Sequence, residues 1–456
     1  MQSPEPQPIH IQSFLDTQPF SRFQWQIFGL CFLTVLLDGF DTGAVGFVAP
    51  SLLKEWSVDR PALAPVLSGA LFGLAAGALL AGPLADRLGR KRVLVVSVAL
   101  FGAASLACAF ANTLTELTSM RFVTGLGLGA AMPNAVTLMN EFCPAKRRAT
   151  LTNAMFCGFP LGAALGGFLA AWMIPQWGFR SVFLLGGVAP LVLCLVAARL
   201  LPESVRYLIA RQAPLAKIRE ILLRVSSAAA GAREFLSTDS MPPAAGGGGG
   251  LRVVLSRSFI IGSVALWLAY FMGLVIFYAL INWMPLLLRD AGLPPQRATL
   301  VSALFPLGGV GAVFAGYLMD RWNANRVVAA AFALTAVTVY AVGQSVSNVA
   351  ALVTAVFIAG TMMNTAQSSL PSLAAAFYPT QGRATGVAWM MGIGRFGGIF
   401  GSFLVAELSR AQLGFGEIFT VVAVPGVLAA AALLIKQMAE PQGQPAALAD
   451  EPIAGH

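Results

Sequence analysis

Four ionisable side chains, Asp38, Asp41, Arg121 and Arg395, interrupt long apolar runs of this sequence. An ionised group placed in hydrocarbon costs about 2.5–3.5 kcal/mol on insertion scales, so residues kept there mark function. Asp38 and Asp41 are three positions apart, which sets both on one face of a helix and within reach of each other's charge. Two like charges in a poorly solvated site resist simultaneous ionisation, so one carboxylate can take up and release a proton. The two histidines, His10 and His456, lie outside the apolar runs. A proton carrier must therefore be a carboxylate, with Asp38 and Asp41 first and Glu141, at the end of the fourth run, in reserve. The competing expectation is structural, with both aspartates simply bracing Arg121.

Arg395 lies in the glycine-rich run from Met390 to Gly398. Its planar guanidinium matches a carboxylate with two parallel hydrogen bonds, which makes it the first choice for an anionic substrate. An ion pair with a neighbouring helix is the alternative. Arg121 either holds an aspartate charge until substrate or proton displaces it, or snorkels to the membrane surface. Tyr278, Asn282 and Trp283 of the seventh run and Asn364 and Gln367 of the tenth offer an apolar slot with a few polar groups. Aromatic residues in such helices also serve as packing or interface anchors.

The elements that must hold these residues follow from composition. The 456 residues are 57% hydrophobic and 11% charged, with a mean hydropathy of +0.75, outside what a water-facing surface allows. A spanning helix needs about 20 apolar residues because hydrocarbon leaves no partner for free backbone groups. Twelve such stretches occur, among them a first from Trp25 to Ala49, a fifth from Ala149 to Met173 and an eighth from Thr299 to Met319. The expected division is a cytoplasmic segment 1–24, a six-helix bundle 25–201, a linker 202–257, a second bundle 258–436 and a tail 437–456. Within the linker, the Met241–Gly250 stretch, which ends in five glycines, predicts no regular element. Of the 29 Lys and Arg, only Lys54, Arg60, Arg180, Arg289, Arg297 and Arg410 fall on the expected outer side, while Arg121 and Arg395 lie within spans. That bias predicts an even helix number and cytoplasmic termini.

Other classes lose support on the same grounds. The net charge of +9 is spent on topology, and no basic-aromatic module accompanies it, so no nucleic acid is expected. The five cysteines lie in or beside apolar runs, against a disulfide framework. The polar start, Met1–Gln24, has no cleavable-signal pattern. No metal cluster, Ser-His pair or phosphate loop appears, so neither an enzyme nor a metal or other cofactor is expected. Gly392, Gly394 and Gly397 spell a dinucleotide fingerprint, yet no strand precedes them. Close helix packing explains them better, as it does Gly125, Gly127, Gly129, Gly158, Gly162 and Gly166. Pro133 and Pro160 are expected to bend their helices.

The halves carry matched punctuation. Asp86 and Arg87 close the second run as Asp320 and Arg321 close the eighth, and Arg148-Ala149-Thr150 and Arg383-Ala384-Thr385 follow at separations that differ by one residue. Duplicated halves around a midplane site are a transporter architecture. The segment Gly82–Lys91 resembles the signature loop of the major facilitator superfamily, and Asp38-Gly39-Phe40-Asp41 resembles the motif of its aromatic acid:proton symporters. Arg121–Asn134, Pro202-Glu203-Ser204 and Tyr378–Gly386 extend the likeness over nearly the whole chain, closest to the 4-hydroxybenzoate/protocatechuate branch.

The resemblance implies an all-α membrane protein of twelve helices in two pseudo-symmetric six-helix bundles. It further implies a monomeric proton symporter that imports an aromatic carboxylate across the bacterial inner membrane by alternating access. A charge lock at Asp86, Arg87, Arg90 and Lys91, with Arg148, Asp320, Arg321 and Arg383, would gate it. Asp86 is expected to pair with an arginine or to accept from a helix N-terminus. Trp322 and Asn323 replace Leu88 and Gly89 in the second copy, which predicts a weaker gate there. Two alternatives remain open: a proton-coupled exporter of the same fold, and a non-transporting sensor of aromatic acids.

Overall fold

A computed structural model describes residues 9–232, 234–236, 249–312, 318–319, 321–378 and 380–439. The first bundle comprises α1 (Arg22–Trp56), α2 (Ala64–Leu88), α3 (Arg90–Cys108), α4 (Leu114–Glu141), α5 (Gly158–Trp177) and α6 (Arg180–Leu200). The second comprises α7 (Ile260–Asp290), α8 (Pro295–Leu307), α9 (Ala324–Gln344), α10 (Val349–Phe377), α11 (Thr380–Arg410) and α12 (Phe415–Met438). Eleven of the described helical stretches are long and apolar enough to cross a membrane. The eighth expected span is described in part: α8 tightens into a 3-10 turn over Gly308–Ala312, and Asp320 lies outside the described residues.

Helices overrun the expected spans, α1 by several residues at each end. Charged and polar ends continue the helix into the headgroup region, where hydropathy no longer marks them. Ser21 and Gln24 form a capping box that fixes the start of α1. The fifth span differs more. A helix over Ala145–Phe156 breaks at Cys157, and α5 restarts at Gly158. Pro160 supplies the reason: it has no N–H for the Phe156 carbonyl, and its ring crowds that turn. Pro133, by contrast, stays inside an unbroken α4.

Glycine sets the helix spacing at most of the expected positions. A Cβ on Gly125 would strike the Ala70 carbonyl of α2, one on Gly129 the Leu74 carbonyl, and one on Gly162 the Leu36 carbonyl of α1. In α11, Gly394 and Gly398 receive the rings of Tyr270 and Tyr278, and Gly397 and Gly401 lie against the backbone at Phe271 and Val275. Gly394 and Gly397 of the fingerprint-like run thus lie in the seam between α11 and α7, whereas Gly392 faces open space and does not meet the packing expectation. Replacing Gly125 by Leu is expected to cost about 1–3 kcal/mol through overpacking. Thermal unfolding of the purified protein would register it, and an unchanged midpoint would contradict this packing account.

The linker is more ordered than a spacer. Helices Val205–Ala210 and Leu215–Leu223 follow a turn after α6, and Phe235–Leu236 pairs in parallel with Ile9–His10. Ile218 and Leu222, four apart on one helical face, are buried in a cluster with Ile11, Phe14, Leu15, Phe142 and Leu208. Gly249 and Gly250, expected to hold no element, begin the short helix Gly249–Val254, while residues 241–248 lie outside the described residues.

Polar contacts between the bundles gather at one end. There Arg60 pairs with Asp290 at 2.9 Å and Arg289 donates to the Pro50 carbonyl at 2.7 Å. Just inside, Gly46 of α1 lies against the Ile281 and Asn282 backbone of α7. From mid-height towards the opposite, basic end, among the described residues a single hydrogen bond joins the halves, from Arg395 to Leu74. The bundles are therefore clamped at the end bearing the α1–α2 and α7–α8 connections.

Candidate functional site

Asp38 and Asp41 sit near the midpoint of α1, and Arg395 near the midpoint of α11. Arg121, two turns into α4, is 1% exposed. Its Nη1 meets Asp41 Oδ2 at 2.7 Å, and its Nη2 reaches the Asp41 carbonyl at 3.5 Å. Ser105 of α3 donates to Asp41 Oδ1 at 3.1 Å. Arg121 is thus a buried clamp, and snorkelling to the surface is overturned by its depth. Arg121 Nε remains without a partner.

Asp38 is different. It is 3% exposed, and its Oδ1 is buried with no hydrogen-bond partner. An unmatched acceptor in the interior costs free energy that only an added proton or donor removes. The charges of Asp41 and Arg395 both act on Asp38, and those of Asp38 and Arg395 act on Tyr278. The structure therefore divides the aspartate pair: one is locked in an ion pair, the other is left under-partnered.

Arg395 donates from Nη1 to the Leu74 carbonyl of α2 at 2.9 Å, across the boundary between the bundles. Among the described residues no carboxylate stands within ion-pair distance of it. The alternative of a salt bridge to a neighbouring helix does not hold here. A narrow cavity of about 10 Å³, space for about one water, opens at the same level, lined by Thr42, Leu71, Leu74, Arg121, Tyr278 and Asn282 among others. Phe277 lies edge-on to Tyr278 with ring centroids 5.3 Å apart, and Phe159 faces Phe277 from the first bundle at 6.1 Å.

The remaining slot residues separate. Tyr278 and Asn282 reach the cavity, although Asn282 also donates to Ser402 Oγ at 2.9 Å. Trp283 does not reach it. It is fully buried and donates to the Ser402 carbonyl at 3.0 Å, so its ring packs α7 against α11. Asn364 donates to its own helix at Gly360, 2.8 Å away. Gln367 donates weakly to the Tyr270 carbonyl at 3.5 Å, and its Oε1 is buried without a partner. Thr42 and Ser402 were not singled out from sequence, because hydroxyls in apolar runs carry no periodic signal.

The basic end holds a second cluster. Arg90 pairs with Asp86 at 2.9 Å and approaches Glu141 at 3.5 Å, and Glu141 also accepts from Ser204 Oγ. Glu141 is thus a full helix length from the Arg121 end of α4, tied into the loop network rather than set beside the two aspartates. Asp86 does not accept from a helix N-terminus. That place belongs to Glu203, which takes the Lys91 amide at 3.0 Å and complements the positive end of α3. Gly89 turns the chain there with φ 98°, and a side chain at that position would run into Glu203. The Arg87 carbonyl accepts from Tyr207 and Arg211 at 3.1 and 3.0 Å. Arg148 reaches Gln12 at 2.7 Å, and Arg383 and Arg321 are exposed. Among the described residues no hydrogen bond or ion pair connects this cluster to the second bundle.

Comparison with known proteins agrees with this architecture. The profile described as Major Facilitator Superfamily matches residues 31–323 and 266–454. The chain is 48% identical to the 4-hydroxybenzoate transporter PcaK of Pseudomonas aeruginosa, over 94% of this chain and 96% of that one. It is 45% identical to a gallate transporter of Pseudomonas putida, over 98% and 100%. The solved inward open conformation of the xylose transporter XylE from E. coli shares the fold, with a TM-score of 0.70 at 19% identity over 90% of this chain and 96% of that one.

Proposed function

The chain belongs to the Major Facilitator Superfamily, and on that footing we propose that it imports an aromatic carboxylate, 4-hydroxybenzoate, protocatechuate or a close relative, together with protons across the bacterial inner membrane. The single observation that carries this reading is the under-partnered Asp38 carboxylate buried in one bundle, with the Arg395 guanidinium of the other reaching across the boundary to a backbone carbonyl alone. Asp38 takes the proton. Arg395 exchanges the Leu74 carbonyl for the substrate carboxylate, and the ring lies against Tyr278. Asp41 and Arg121 hold α1 and α4 in register while this happens. With Asp38 neutral and Arg395 satisfied, the uncompensated charges between the bundles are gone, so the loaded carrier rocks and the half-loaded one does not. The Arg90 cluster, now including Glu141 and Glu203, steadies the basic end through the movement. The names of the similar transporters and the planar anion site support an aromatic acid as cargo.

Proteoliposomes with an imposed pH gradient test this directly. Labelled 4-hydroxybenzoate is expected to accumulate when the outside is acidic and to stop when a protonophore collapses the gradient. Asp38→Asn is expected to keep substrate exchange but to lose gradient-driven accumulation. Accumulation by Asp38→Asn equal to wild type would remove Asp38 from the proton step. Gradient-driven movement in the opposite sense would make the protein an exporter, and binding with no movement would make it a sensor.

A further inference from the structure

Beyond the transport path, the outer face of the first bundle carries a second site. Helices α2 and α3 diverge from the Gly89 turn and leave between them a lipid-facing groove of about 500 Å³. Its walls are apolar, with exposed Leu84, Leu88 and Val96, and α4 forms its floor. Along α2 it runs from Gly77 to Leu88, about 16 Å at 1.5 Å per residue. That is roughly half of the 30 Å hydrocarbon thickness, the depth of one leaflet. Lys91 and Arg92 close the groove at its basic end, where headgroups lie. Among the described residues neither side chain has a carboxylate within ion-pair distance, because Glu203 meets the Lys91 backbone amide instead.

We propose that this groove binds one anionic glycerophospholipid of the surrounding bilayer, its phosphate held by Lys91 and Arg92 and one acyl chain laid along Leu84 and Leu88. Charge complementarity selects the occupant. Two cations at headgroup level, without a carboxylate at ion-pair distance among the described residues, favour an acidic lipid over a zwitterionic one, and an apolar trough one leaflet deep suits an acyl chain rather than a polar ligand. The lipid would fill the space that α2 and α3 leave open beside the signature turn, and so couple membrane composition to the loop at Gly89.

Native mass spectrometry of the full chain in detergent, delipidated and then given phosphatidylglycerol or phosphatidylcholine, tests the site. Wild type is expected to retain phosphatidylglycerol with roughly tenfold or greater preference, as two surface cations allow. Arg92→Gln, and more fully Lys91→Gln with Arg92→Gln, are expected to bring that preference towards one. Leu84→Trp, which fills the groove and leaves both cations, is expected to lose the retained lipid. Equal retention of the two lipids by wild type overturns the proposal. So does a Leu84→Trp protein that holds phosphatidylglycerol as wild type does, because the cations would then act only on the lipid annulus. Undiminished preference in Arg92→Gln, which stands alone if the double variant does not fold, would also overturn it.

Discussion

Asp41→Asn is expected to abolish accumulation of the aromatic acid and to destabilise the protein by about 3–5 kcal/mol, the usual cost of stranding one member of a buried ion pair. Arg121 has Asp41 as its only ionic partner among the described residues, at 2.7 Å with both side chains almost fully buried. Ser105 completes the carboxylate, so an amide at position 41 leaves a guanidinium with no counter-charge inside the bundle. Thermal unfolding in detergent reads the stability and proteoliposome uptake reads the function. Asp41→Asn combined with Arg121→Gln should recover much of the stability, since neither charge is then stranded, yet recover no transport. A single variant as stable as wild type would mean that water already screens the pair.

Arg395→Ala carries the second large effect, and it falls on binding. Two charge-assisted hydrogen bonds to a carboxylate contribute about 1.5–3 kcal/mol each at most, and replacing the Leu74 contact offsets part of that. The dissociation constant for 4-hydroxybenzoate is therefore expected to rise roughly 10- to 100-fold. Arg395→Lys should restore the charge but only part of the affinity, because a lysine lacks the planar fork. Equilibrium binding to the purified protein measures this without relying on a proton gradient. Unchanged affinity in Arg395→Ala would move the substrate carboxylate elsewhere, Arg121 being a cation that lines the cavity.

Much of this was legible before any coordinates, for a physical reason. Hydrocarbon forbids loose charge and unpaired backbone, so spans and intramembrane ions stand out in a bare sequence. Asp38, Asp41, Arg121 and Arg395 were identified on that basis, and the structure places them near the boundary of the bundles. What stayed hidden is pairwise. Sequence could not assign Arg121 to Asp41 rather than Asp38, since three residues on a helix separate them by less than a turn. It put Trp283 in the slot because composition does not reveal which face of α7 packs against α11. Glu141 looked like a spare proton site only because nothing in the chain order announced Ser204 and Arg90 as its neighbours. The break at Cys157 was readable in principle from Pro160, while the fold of the linker depended on contacts with Ile11 and Phe14 more than two hundred residues away.

The clamp between the bundles combines charged contacts with close backbone packing. Arg60 and Asp290 are partly exposed, and such a pair contributes no more than about 1 kcal/mol, whereas Gly46 lets two helix backbones touch over apolar surface. Ionic strength is consequently a weak lever on which way the carrier faces. Bilayer thickness and lateral pressure, which act on greasy contact area, are the stronger ones.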